Sequence, residues 1–152
     1  MKSVEQPAVL AGLTARFRHL RPESLPRWGT MASSEMLCHL ADAASSVLGQ
    51  RPRTAQPPHG ARLLVKWLAL YSPLPWPKGV PTPSHVNPRA GGSRPGDFQE
   101  DLARAVEGVH ALAAAPPEAF VRDHAIFGRM TARDWRRWAY LHTDHHLRQF
   151  GC

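Results

Sequence analysis

Apolar residues recur every three or four positions in several long segments of the chain, which is the spacing of one face of an α-helix. This periodicity predicts helices over about residues 6–20, 33–49, 97–115 and 131–150. No segment shows the two-residue alternation of a half-buried strand, and no internal repeat of fixed length is visible. The pattern therefore predicts an all-α fold.

Residues with strong capping preferences mark where these helices begin. Ser33 and Ser34 are good N-cap residues for the second helix, and Asp97 is one for the fourth. Thr131 with Asp134 forms a capping-box-like start for the last helix. The starts of three helices are therefore predicted by local chemistry as well as by periodicity.

A further helix is predicted over about residues 61–71, where apolar side chains occupy much of the helix circumference, so we expect it to be well buried. Residues 72–96 follow it and contain seven prolines. A loop of that length inside a compact domain is usually functional or disordered, and Trp76 between prolines favours an ordered strap packed over the helices. We therefore expect a single domain over residues 1–152, an antiparallel four-helix bundle crossed at its open end by this long proline-rich loop.

Composition and charge exclude several classes of protein. The 19 Lys and Arg residues exceed the 12 Asp and Glu residues and give a net charge of +7, but they are scattered rather than clustered on one helix, which disfavours nucleic-acid binding. The most apolar segment, residues 63–71, is about half the length of a membrane span and contains Lys66. Two cysteines, Cys38 and Cys152, are too few for a disulfide scaffold and fit a reducing compartment, so a cytoplasmic protein is expected.

The last predicted helix carries the most specific chemical signal. His142 and His146 are four residues apart, on one face, and the same face includes Trp135 and Trp138, so the two imidazoles point toward the core. The best-placed histidine elsewhere is His39, on the shoulder of the apolar stripe of the second helix. Three imidazoles would leave one coordination position open, as catalytic metal sites do, and such nitrogen ligands suit Zn, Ni, Cu or Fe.

Several alternatives to this site remain open in the sequence. A core-facing histidine is more often simply hydrogen-bonded, and His142 with His145 is also a feasible ligand pair. The groups that can orient the outer ring nitrogens are Asp42, Asp144 and Gln149. The remaining histidines are expected to be exposed, with a reservation for the one that lies on the strap, His85; the others are His19, His59, His110 and His124. Cys38 falls nearly opposite the metal face, so its thiol is expected outside the site.

Three segments together resemble the DinB-like (DinB/YfiT) superfamily: residues 28–42, 65–79 and 124–151, with a His-Leu pair at His39 and an H-x-x-x-H motif in the last helix. The resemblance implies a dimeric four-helix bundle in which a divalent metal is held by His39, His142 and His146. It also implies a low-molecular-weight thiol as a cofactor, because characterised members of that superfamily include thiol-dependent transferases.

The expected function is a metal-dependent enzyme acting on a small-molecule substrate, with zinc, nickel or iron as the ion. In the thiol-dependent S-transferase version, the ion binds a small thiol and lowers its pKa for attack on an electrophile. In a hydrolase version it activates water instead. A non-catalytic bundle that binds a ligand or partner, with its histidines merely packed, is the alternative from another class. A homodimer is expected, and neither a membrane nor a nucleic acid is expected as a partner.

Overall fold

The computed structural model describes residues 1–51 and 62–152. Helices dominate these residues, and the mostly α-helical prediction is confirmed. The five helices are α1 (Pro7–Phe17), α2 (Ser33–Val47), α3 (Arg62–Tyr71), α4 (Phe98–Ala114) and α5 (Ala132–Gln149). Short 3₁₀ turns lie at Ser84–Val86 and Pro117–Ala119, and two strands of two residues each, β1 (Asp123–His124) and β2 (Gly128–Arg129), pair antiparallel.

Two of the predicted caps form as expected. The carboxylate of Asp97 accepts hydrogen bonds from the N–H groups of Gln99 and Glu100 at the start of α4. At the start of α5, Thr131 Oγ1 accepts from the Asp134 N–H at 3.1 Å, and the Asp134 carboxylate accepts from the Thr131 N–H at 2.9 Å. The predicted serine cap of α2 is wrong, because Ala32 is the N-cap and Ser33 lies inside the helix, where its hydroxyl donates to the Pro22 carbonyl.

The core is built chiefly where α2 packs along α4, with α1 and α5 closing other sides of it. A Cβ atom added at Gly108 of α4 would lie 2.9 Å from the Ala44 Cβ of α2, so the missing side chain allows the two helices to approach closely. Met36 and Leu37 of α2 and Trp135 of α5 are buried in this core. The same packing brings α2 and α5 into contact, which is the contact that forms the candidate site.

The prediction that α3 is well buried is wrong for most of its side chains. Leu63 is 78% exposed, Leu64 62% and Trp67 56%, whereas Leu70 is fully buried. Among the described elements, α3 packs against α5 and β2. A helix that is apolar around much of its circumference has therefore buried only part of it within the described residues. None of the described helices combines the length and the hydropathy needed to cross a bilayer.

The short hairpin of β1 and β2 was not predicted, because two residues per strand are too few to show an alternating pattern. Gly128 has a φ of 66°, in the left-handed region that favours glycine. The Met130 N–H donates to the Arg122 carbonyl at 2.8 Å, and the indole N–H of Trp135 donates to the Val121 carbonyl at 2.7 Å. The hairpin is thus anchored to the start of α5.

The long loop over residues 72–96 forms the ordered strap that was predicted. The indole N–H of Trp76 donates to the Ala69 carbonyl at 2.7 Å, and the ring packs against the core. Farther along, the 3₁₀ turn Ser84–Val86 lies against α2. The strap therefore contacts α2 at the level of its only histidine.

Candidate metal centre

The structure brings together the three histidines that the sequence singled out. His39 lies on α2, and His142 and His146 lie one turn apart on α5. One nitrogen from each residue lies within 4.8 Å of the others, and these three form a group that can hold a metal ion. His39 is 5% exposed and the two histidines of α5 are half-buried. The convergence of the three imidazoles is thus a property of the fold.

Hydrogen bonds to the outer nitrogens fix the orientation of two of the rings. His39 Nδ1 lies 2.8 Å from the Val86 carbonyl oxygen, and His146 Nδ1 lies 2.9 Å from Gln149 Oε1. Because both partners are acceptors, each Nδ1 carries the proton and donates it. Each neutral ring then presents the lone pair of Nε2 to the cluster.

One distance in the cluster is close to the spacing of two ligands on a metal ion. His39 Nε2 and His142 Nε2 are 3.1 Å apart. Two nitrogens bound to one tetrahedral zinc ion at 2.0–2.1 Å are separated by about 3.3 Å. Since His39 Nε2 carries the lone pair, His142 Nε2 donates the hydrogen bond between them. The His39–His142 pair therefore has nearly the spacing of two ligands of one ion.

Electrostatics keep the three rings neutral, which is the form that binds metals. Burial, followed by the nearby His146 and His39 rings, holds the pKa of His142 well below its usual value. Burial and the His39 ring lower the pKa of His146 to about 3, although its hydrogen bond to Gln149 acts in the opposite direction. Burial also lowers the pKa of His39. The rings therefore need no net loss of a proton to bind an ion at neutral pH, although the His142 proton has to move from Nε2 to Nδ1.

A salt bridge and a hydrogen bond join the strap to α2 on either side of the Val86 contact. The Arg89 guanidinium donates to both carboxylate oxygens of Glu35 at 2.6 Å, one turn before His39. Three residues after His39, the Asp42 carboxylate accepts from the Ser93 N–H at 2.6 Å. The hydrogen bond with Arg89 lowers the pKa of Glu35, so the carboxylate stays charged at neutral pH. The strap is therefore fixed to α2 on both sides of the site.

Of the three predicted orienting groups, only Gln149 contacts a ring of the cluster. Its Nε2 donates to the Trp28 carbonyl at 2.7 Å, which leaves Oε1 as the acceptor for His146. Asp42 instead pairs with Arg51 at 2.7 Å, and Asp144 pairs with Arg16 at 2.6 Å. The proposed roles of Asp42 and Asp144 as partners of the ligand rings are therefore wrong.

Two contacts of the site were not predicted. The Val86 carbonyl is a backbone group on the strap, and no side-chain pattern signals it. Trp138 stacks on His142 with ring centroids 4.5 Å apart and an angle of 19° between the planes. That contact was open to prediction, because the two residues are four apart on α5. It covers one face of the imidazole and keeps it within the core.

The other histidines and Cys38 lie outside the group of three. His145 is half-buried, and its ring lies 5.3 Å from that of His146 and 5.6 Å from that of Trp28; the group that can hold an ion includes His146, not His145. His19 and His110 are exposed as predicted, and His59 lies outside the described residues. The expectation of exposure is wrong for His124, which is half-buried, and for His85, for which a reservation was made and which is also half-buried. Cys38 is fully buried with its Sγ 3.6 Å from Arg104 on α4, away from the cluster, as expected.

Comparison with known proteins yields one match. A family model described as "Protein of unknown function (DUF1569)" matches residues 10–151. No curated protein and no solved structure matches the chain. The resemblance to the DinB-like superfamily is therefore wrong, since the family that the chain matches is a different one and nothing indicates that superfamily. The thiol cofactor and the homodimer followed from that resemblance and lose their support with it.

Proposed function

We propose that this chain, which belongs to the DUF1569 family of proteins of unknown function, binds a divalent metal ion through His39, His142 and His146 and is a metal-dependent hydrolytic enzyme. The observation that carries the proposal is the convergence of three neutral imidazoles within 4.8 Å. The family supplies no activity, and the geometry of the three rings alone supports the proposal.

The orientation of the rings supports metal binding over simple packing. A histidine that is merely packed needs a hydrogen-bond partner for its buried N–H. The outer nitrogens of His39 and His146 already have such partners in Val86 and Gln149, so their inner nitrogens are left to bind an ion. The inner nitrogen of His39 faces His142 Nε2 at 3.1 Å rather than a carbonyl or a hydroxyl, and a nitrogen of His146 lies within 4.8 Å of both. Metal-bound histidines characteristically donate the other N–H to a carbonyl or carboxylate in this way.

The number of ligands supports catalysis over a structural role. Structural zinc sites are closed by four protein ligands, whereas three histidines leave a position for water or substrate. A divalent ion held by these three residues would supply a Lewis acid that activates water. Val86 and Gln149 hold the rings of His39 and His146 in one tautomer, and Trp138 covers one face of the His142 ring. The packing of α1, α2, α4 and α5 around one core also supports a four-helix bundle, which we retain as part of the proposal.

Metal content tests the first part of the proposal. We expect purified protein to bind about one equivalent of zinc or cobalt, and His146→Gln and His142→Gln to lose that binding. The matched control is His145→Gln, which changes a neighbouring histidine on α5 outside the group of three. Circular dichroism of each variant verifies that the helices remain. Stoichiometric metal in both ligand variants, or equal losses in the control, would refute the site.

Turnover tests the second part. The metal-loaded protein is assayed with model carboxylic esters, phosphoesters and amides, and we expect hydrolysis of at least one class that is lost on chelation, returns with zinc and is absent in His146→Gln. Stoichiometric metal without hydrolysis of any class would refute the enzymatic part and leave a non-catalytic metal-binding protein.

A further inference from the structure

We propose that a cleft beside His145, between the strap and α5, binds a small organic anion that has a flat apolar body. The cleft has a volume of about 350 Å³ and is lined by residues 72–76 and Lys78 of the strap, by one side of α5 and by Trp28. Its role as the substrate site of the metal centre rests on the proposed function, whereas the binding of an anion does not.

The charge of the cleft indicates the sign of its ligand. Lys2, Lys78, Arg137 and Arg148 line it together with a single carboxylate, that of Asp144. That carboxylate is paired with Arg16, from outside the cleft lining, at 2.6 Å. The four cations of the lining therefore exceed its acidic charge, and an anion is the complementary ligand.

Two of these cations present donors that a ligand can use. Lys78 is exposed, and its Nζ lies 4.6 Å from the centroid of the Trp28 ring. The Arg148 side chain is 64% exposed and forms a long ion pair with Asp144 at 3.9 Å, which contributes little in water. In contrast, Arg137 donates to the Leu70 carbonyl at 2.9 Å, so it is held by the fold. Lys78 and Arg148 are thus the residues we expect to contact the anionic group.

Aromatic side chains in the same cleft indicate the body of the ligand. Trp28, Trp76 and Tyr140 line it. The hydrogen bond from Trp76 to the Ala69 carbonyl holds that indole in place, which lowers the entropy lost when a ligand packs against it. Flat rings beside cations fit a compound that joins a flat aromatic body to a carboxylate, sulfonate or phosphate.

Two residues that line the cleft lie next to the metal centre. His145 lines the cleft, and its ring lies 5.3 Å from the ring of His146. Trp76 also lines the cleft and lies 6.3 Å from the ring of His142. A ligand in the cleft therefore lies next to the cluster. A volume of about 350 Å³ is the size of a small-molecule site.

Titration with benzenesulfonate tests the proposal. Sulfonate is a poor metal ligand, and methyl phenyl sulfone is its neutral counterpart of similar shape. Binding is followed at 0.15 M salt by the ¹H–¹⁵N signals of the indole groups of Trp28 and Trp76. We expect saturable shifts of both signals, and at least tenfold weaker binding of the sulfone, because hydrogen bonds to charged groups are worth about tenfold or more each.

Charge-matched variants separate the cleft from general attraction to a basic protein. We expect Lys78→Gln with Arg148→Gln to weaken sulfonate binding at least tenfold. The control is Arg18→Gln with Arg94→Gln, which removes the same charge from exposed residues outside the cleft lining and is expected to change binding less than twofold. The proposal is overturned if benzenesulfonate gives no saturable shifts or if the sulfone binds equally well. It is also overturned if the control loses as much binding, or if only a single-stranded oligonucleotide shifts the signals.

The two proposals fail separately, because the titration is run on both metal-free and zinc-loaded protein. Sulfonate binding by a protein that takes up no metal would refute the proposed function and support the cleft. Stoichiometric zinc with no sulfonate binding would refute the cleft and leave the metal centre standing.

Discussion

Replacing Gln149 with leucine tests whether the second ring nitrogen of His146 tunes the metal centre. Gln149 is 5% exposed and connects His146 Nδ1, at 2.9 Å, to the Trp28 carbonyl, at 2.7 Å. Leucine has nearly the same size but neither accepts nor donates a hydrogen bond. The substitution therefore leaves the His146 ring free to take either tautomer. It also places an apolar side chain beside the His146 Nδ1 atom in place of the amide oxygen.

The size of the effect follows from the two contacts that are lost. Loss of a hydrogen-bond partner behind a ligating histidine typically weakens metal binding by about 10- to 100-fold, or about 1.4–2.7 kcal/mol. Two buried polar groups, the His146 Nδ1–H and the Trp28 carbonyl, also lose their partner, and each such loss costs about 1–3 kcal/mol of folding stability. We therefore expect Gln149→Leu to weaken zinc binding and to lower the stability of the metal-free protein.

Competition for zinc against a chromophoric chelator measures the affinity, and urea unfolding of metal-free protein measures the stability. Gln149→Glu separates the two effects, because a carboxylate still accepts from His146 but cannot donate to the Trp28 carbonyl. We expect this variant to bind zinc at least as tightly as the wild type while being less stable. Arg148→Gln, on the same helical turn and largely exposed, is the control. Zinc affinity of Gln149→Leu within twofold of the wild type would refute the reasoning.

Two further predictions concern residues outside the cluster. Asp134 is buried and accepts from Lys66 at 3.1 Å and from Tyr71, so Asp134→Asn should lower the free energy of unfolding by about 3 kcal/mol at pH 7 in urea denaturation. Burial opposes ionisation, but hydrogen bonds from Thr131, Tyr71 and Lys66 lower its pKa overall, so this contribution is present above the ordinary aspartate value of about 4 and is lost as the pH falls below it. A difference from the wild type that stays constant between pH 6 and pH 3 would contradict this account. Burial and the nearby Asp101 raise the pKa of the Cys38 thiol to about 11. In native protein at pH 8 we therefore expect one thiol, that of Cys152, to react with a disulfide reagent, and both thiols to react after unfolding. Rapid reaction of both thiols in native protein would show that the core opens.

The sequence predicted most of the helices because their determinants are local. Apolar spacing and the caps at Asp97 and Thr131 act over a few residues, and the structure shows both caps in place. The prediction for α3 was wrong because periodicity reports which side chains are apolar, not what covers them. Leu63 and Trp67 are mostly exposed in spite of their pattern. The β hairpin was missed because strands of two residues carry no period.

The candidate site was also predictable only where its determinants are local. His142 and His146 could be paired from the sequence, because helical geometry alone places residues four apart on one face. His39 could be proposed as their partner, since its helix has an apolar stripe beside it. The family resemblance used to support that choice was wrong, and the convergence of the three rings comes from the packing of α2 and α5.

What the sequence by itself determined is therefore the helices and the identity of the candidate nitrogen ligands. Only the tertiary structure decided the orientation of those ligands, through the Val86 carbonyl of the strap and the Gln149 amide that reaches to Trp28. Only the tertiary structure placed Lys78 and Arg148, 70 positions apart in the chain, in one cleft beside the cluster. The physical reason is that spacing along a helix fixes a face, whereas hydrogen bonds between distant segments depend on how the whole chain packs.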